Sequence, residues 1–93
     1  MSDWFDSFSE YGDFKDIAEV LKDVKKLRSL YGERRFDEMY QHIRLLVVKY
    51  PIEALTWNAV NSSTPRNEEE AFTTADEFLR RVVMEKVGKL KVK

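Results

Sequence analysis

Apolar residues recur at three- and four-residue spacing through most of this chain, the signature of amphipathic helices. From 13 to 31 the stripe is Phe14, Ile17, Leu21, Val24, Leu27 and Tyr31, widened by Ala18, Val20 and Leu30. Asp13 is the expected N-cap, Asp16 adds negative charge to the first turn, and Gly32 is placed to stop the helix. A second helix is predicted over 34–50, with Phe36, Tyr40, Ile43, Val47 and Tyr50 as its stripe, broadened by Met39 and Leu46. Leu45 and Val48 fall outside that stripe, so the run IRLLVV is apolar on most sides. Such a run is ambiguous with a buried strand, but the helical period of ERRFDEMYQHIR before it decides for a helix. Pro51 ends it.

Residues 52–60 predict a short helix with Pro51 at its first position. The cluster NSSTP then reads as a turn, with Thr64 as N-cap and Pro65 as the first residue of a third long helix running from about 66 to 87. The face of that helix is Phe72, Ala75, Leu79, Val82, Val83 and Val87, with Ala71 and Phe78 beside it. Gly88 is expected to interrupt it and leave 89–93 as a basic tail. At the other end Trp4, Phe5, Phe8 and Tyr11 crowd a short segment closed by Gly12. Positions 4, 8 and 11 share a face if it is helical, but the stub is too short to hold a helix unaided. Its rings must pack either on the domain or on a partner.

The expected fold is therefore all-α: one domain over 1–88, a bundle of three principal helices with a short extra helix and an N-terminal aromatic stub over 1–12. Short connections favour antiparallel packing of the first pair. The second helix is expected to be the most buried, with Leu21, Val24, Ile43, Leu46, Val47, Leu79 and Val82 as core.

Composition agrees with a folded chain of 93 residues, since six Phe, four Tyr and two Trp are far too many aromatics for general disorder. No stretch approaches about 18 uncharged apolar residues, so no membrane span is predicted. The acidic start MSDWFDSFSE lacks the basic and apolar regions of a secretory signal. Zero cysteines exclude disulfides and thiolate metal sites, and fit a cytoplasmic protein. A single Gln and three Asn echo the composition of thermophilic proteins.

The net charge of −1 conceals segregation. Residues 1–14 carry −4, 15–50 carry +3, 51–79 carry −5 and 80–93 carry +5. Helix dipoles explain part of this, because Glu68, Glu69 and Glu70 open the last helix and lysines close it. Contact with nucleic acid through Arg80, Arg81, Lys86, Lys89, Lys91 and Lys93 is the alternative. A second basic group, Lys22, Lys25, Lys26, Arg28, Arg34 and Arg35, surrounds the first inter-helix turn, though acids three or four residues away pair with much of it.

Little in the chain carries chemistry. One histidine and no calcium-type acidic loop leave no metal site, and there is no glycine-rich phosphate loop or nucleophile elbow. Arg35 and His42, separated by six residues in ERRFDEMYQHI, resemble the catalytic motif of the all-helical ribonucleases of prokaryotic toxin and defence systems. Phe36 stands where those enzymes carry a polar residue. The segment GERRFDEMYQHIRLLVVKYP is similar to the second helix of a tetratricopeptide repeat, which would imply a peptide-binding groove. The helix before it lacks the Trp and Leu-Gly pair of such repeats, Met39 fills a position they keep small, and no second copy follows. Neither family is assigned.

The sequence thus predicts a non-enzymatic helical interaction protein without cofactor or metal, an accessory subunit or regulator of a larger assembly. Its partner is a different protein or a second copy. Trp4, Phe5, Phe8, Leu45 and Val48 are the expected partner-binding residues. The bland alternative for Leu45 and Val48 is burial between two neighbouring helices.

Overall fold

In the computed structural model, which describes residues 4–60 and 66–91, five α-helices follow one another: α1 (Trp4–Phe8), α2 (Lys15–Gly32), α3 (Phe36–Lys49), α4 (Pro51–Val60) and α5 (Glu68–Lys91). A 3-10 turn, Ser9–Tyr11, follows α1. The described residues contain no strand, and no helix among them is long and apolar enough to cross a membrane. The all-α reading is correct.

The organising element is α2. Its Ile17, Val20, Leu21, Val24, Leu27 and Leu30 are all buried, and its longest interface is with α5. From α5 come Ala71, Ala75, Phe78, Leu79, Val82, Val83 and Val87, as the spacing predicts. Small Ala71 and Ala75 at one end and bulkier residues at the other let the two helices lie close along most of their length. Tyr31 and Phe72 extend the contact as a stacked pair, ring centroids 4.2 Å apart.

The second long helix, α3, is not the most buried. It contributes Met39, His42 and Leu46, while Ile43 is half-buried and Val47 is 43% exposed. The buried stripe is turned by about one residue from the one the apolar pattern suggests. Two polar residues set that phase. His42 is only 6% exposed, and its Nε2 lies 3.1 Å from the backbone oxygen of Asp23, to which it donates. The Tyr50 hydroxyl donates to Asp23 Oδ2 at 2.7 Å, and Lys49 Nζ reaches the same oxygen at 3.0 Å. Asp23 of α2 thus clamps the face of α3 that carries residues 39, 42 and 46.

Helix ends also differ from expectation. The cap position of α2 falls at Phe14, with no side-chain cap, and not at Asp13. Gly32 does not stop α2 but forms its last turn. The reversal comes at Arg34, which adopts φ 59°. There the Arg35 N–H donates to the Leu30 carbonyl at 2.9 Å and the Arg34 N–H to that of Tyr31 at 3.1 Å, a Schellman closure. A left-handed non-glycine residue costs roughly 1–2 kcal/mol, and a glycine inside a helix costs about 0.5–1 kcal/mol. A Cβ at Gly32 would meet nothing within 4 Å. Arg34→Gly and Gly32→Ala should therefore each raise stability by about 0.5–1 kcal/mol in urea unfolding. A loss in either variant would contradict this account of the turn.

Tyr50, with φ −122° and ψ 66°, divides α3 from α4, and Pro51 opens α4 as expected. Thr64 and Pro65 lie outside the described residues; α5 begins at Glu68 and is capped by Asn67, whose Oδ1 accepts the Glu70 N–H at 2.8 Å. At the far end α5 runs through Gly88 to Lys91, so the expected tail is helical as far as it is described. Buried Val87 and half-buried Leu90 on either side outweigh the roughly 1 kcal/mol that one helical glycine costs.

Candidate functional site

Large hydrophobic side chains stand exposed on two consecutive helices. Leu45 and Val48 of α3 are 62% and 76% exposed, and Ile52 and Leu55 of α4 are 75% and 73% exposed. Leu45 and Val48 are thus not sandwiched between helices, because α5 packs mainly on α2 and leaves the outer side of α3 uncovered. Between Leu45 and Leu55 the chain has only two charged residues, Lys49 and Glu53. Lys49 lies 3.0 Å from Asp23 and 4.0 Å from Glu19, and Glu53 is half-buried. Leu45, Val48, Ile52 and Leu55 are the most exposed large apolar side chains among the described residues, and are called the ridge below. Ile52 and Leu55 were not singled out from sequence, although a ten-residue helix with one charge, PIEALTWNAV, is the signal that could have found them.

Burial of Tyr50 raises the pKa of its hydroxyl well above the ordinary tyrosine value, and the hydrogen bond and negative charge of Asp23 push it in the same direction, with Glu19 and Glu53 adding to it. The folded value therefore lies above the unfolded value of about 10. The clamp contributes its full stability below about pH 10 and loses it as the pH climbs further. In an alkaline absorbance titration, Tyr50 should ionise only as the chain unfolds, and Tyr50→Phe should abolish that late signal while lowering stability at neutral pH by about 1 kcal/mol.

The aromatic stub packs in cis. Trp4 Nε1 donates to Asp76 Oδ2 of α5 at 2.9 Å, and Arg28 Nε of α2 meets Asp76 Oδ1 at 3.2 Å. The Arg28 guanidinium also lies 5.5 Å from the ring centres of both Trp4 and Phe5. Phe8 stands edge-on to Trp4, and Trp4, Phe5 and Phe8 are all half-buried against the core. These three residues are therefore held between α2 and α5, far in sequence from Leu45 and Val48.

Of the basic residues of α5, Arg80, Arg81 and Lys89 are exposed, and helical spacing puts Arg81 between the other two around the helix. Lys86 is half-buried with its Nζ 5.8 Å from the Tyr50 ring centre, and Lys89 edges a shallow cleft with Phe14, Asp16 and Leu90. The Lys91 side chain and Lys93 lie outside the described residues.

Arg35 and His42 are not brought together. Arg35 is exposed and paired with Glu33 at 3.3 Å and with Glu38, whereas His42 is buried against the Asp23 carbonyl. Hydrogen bonding to Glu33 and the charge of Glu38 raise the Arg35 pKa further, and the Ser29 hydroxyl, with Arg35, lowers that of Glu33. This is a surface ion-pair group at the end of α2. Among the described residues no group of three or more His, Cys, Asp or Glu is placed to hold a metal ion. Comparison with protein-family models, curated proteins and solved structures found no match.

Proposed function

We propose that this chain is a small non-enzymatic helical interaction module, an accessory or regulatory component of a larger assembly, that binds through the ridge Leu45, Val48, Ile52 and Leu55. The exposure of these four residues, each more than 60%, carries the reading. At about 100 Å² per side chain they present roughly 400 Å² of apolar surface, the size at which a patch on a monomer is often an interaction site. Lys49, between Val48 and Ile52 in the chain, is paired with Asp23 at 3.0 Å, which lowers the cost of covering it.

Purification of tagged chain from its native cell, with and without nuclease, tests this. The wild type should retain a protein, another copy included, whether or not nuclease is present. Leu45→Glu and Leu55→Glu should lose it while keeping the wild-type helical spectrum and melting curve. Retention by both variants would refute the ridge. Loss on nuclease treatment, with steep weakening at higher salt, would instead favour nucleic-acid contact through the basic residues.

A further inference from the structure

We infer that the cleft between the start of α2 and the end of α5 binds a small organic anion with a short apolar chain, in its simplest form a medium-chain carboxylate. Helices α2 and α5 run antiparallel: Tyr31 stacks on Phe72 at one end, and at the other Phe14 and Ile17 share the cleft with Lys86, Lys89 and Leu90. Its volume is about 280 Å³. Its walls are of two kinds. Phe14, Ile17 and Leu90 are apolar, with Ile17 buried, Leu90 half-buried and Phe14 47% exposed. Lys15, Lys86 and Lys89 set three positive charges against the single negative charge of Asp16.

Ordinary pairing does not account for these cations. None of the three has a carboxylate within ion-pair distance among the described residues. Glu19, one turn beyond Lys15, lies 4.0 Å from Lys49 of α3 instead. Helix dipoles favour Lys86 and Lys89 near the end of α5 and Asp16 in the first turn of α2, but they oppose Lys15, the first residue of α2. An anion in the cleft offsets this positive excess without breaking an existing ion pair, and its apolar chain covers Phe14 and Leu90. A few charged groups around an apolar floor are the common construction of a small-ligand site. At roughly 30 Å³ per water-sized group, about nine non-hydrogen atoms fit, which is the size of a carboxylate of about eight carbons. The cleft shares no lining residue with the α3–α4 ridge, and the inference does not depend on that reading.

Octanoate, kept below its micelle-forming concentration, is the probe, titrated into the isotope-labelled full chain and followed by nuclear magnetic resonance. The methyl signals of Ile17 and Leu90 should move with a dissociation constant of about 0.1–1 mM, a range open to a ligand of about ten atoms. 1-Octanol has the chain without the charge and inorganic phosphate the charge without the chain; each should bind at least about tenfold more weakly. Lys89→Glu and Phe14→Ser should each weaken octanoate by about tenfold, the first through charge and the second through lost apolar contact. Both positions are exposed, and serine at the Phe14 cap position is a favoured helix start, so helical spectra should not change. Octanol binding as tightly as octanoate, unchanged affinity in either variant, or no movement at millimolar octanoate would overturn the inference. Octanoate shifts confined to Val48 and Ile52 would also overturn it while leaving the ridge as a binding face, so the two readings fail separately.

Discussion

Leu27→Ala and Leu79→Ala should each lower the free energy of unfolding by about 3–4 kcal/mol, while Leu45→Ala should change it by no more than about 0.5 kcal/mol. All three replace the same side chain in a long helix, so helix propensity cannot separate them. What differs is burial. Leu27 of α2 and Leu79 of α5 have no measurable exposure, and both lie in the core built by the α2–α5 interface. Truncation there loses the transfer free energy of the side chain and leaves a cavity, because α2 is fixed by α5 on one side and α3 on another. Leu45 has water around it already. A domain of this size has about 5–10 kcal/mol in total, so either core variant removes a large part of it. Urea unfolding followed by circular dichroism at low micromolar concentration, where self-association is negligible, measures the contrast. Equal losses at Leu27 and Leu45 would mean that α3, not α2, is the central helix.

Asp76→Ala should cost about 2 kcal/mol and release the N-terminal stub. The Asp76 carboxylate is 18% exposed and accepts from Trp4 and Arg28 at once, while Arg28 is itself 29% exposed and lies over two rings of the stub. Removing the acid takes one carboxylate from a half-buried guanidinium and the printed acceptor from the Trp4 indole N–H. Both penalties exceed the modest value of a typical surface ion pair. Loss of the Trp4 hydrogen bond should appear as faster exchange of its indole proton and a shift of its nuclear magnetic resonance signal. Asp76→Asn should recover part of the effect, since an amide oxygen still accepts from Trp4 but no longer neutralises Arg28. If the indole proton of Trp4 exchanges no faster in Asp76→Ala, the stub is held by its ring contacts and not by this acid.

The stub also shows how far a local pattern reaches. Trp4, Phe5 and Phe8 announce that something must be covered, and three- and four-residue spacing says on which side. Asp76 lies 72 residues further along, and nothing near Trp4 in sequence points to it. The choice between packing in cis and in trans is made by the meeting of α2 and α5, which sets Arg28 and Asp76 side by side. For the α3–α4 ridge the exposed positions Leu45 and Val48 stand out from the sequence because they lie off the stripe. Whether they are covered depends on where α5 goes.

What the sequence by itself determined was the three principal helices and the short extra helix, in their order, and the core faces of α2 and α5. In those two helices apolar residues occupy one arc and charges the rest, so only one orientation buries the first and wets the second. The tertiary structure decided the rest. In α3 apolar residues ring most of the helix, so hydrophobicity alone left its rotation open. Asp23 settled it by binding Tyr50 and His42, the latter a polar residue that a pattern of apolar positions reads as surface. Helix ends were decided the same way. Stopping at Gly32 or breaking at Gly88 is worth about 1 kcal/mol, less than the packing of Leu30, Val87 and Leu90 on helices distant in sequence. Local preferences of that size yield wherever a long-range contact is worth more.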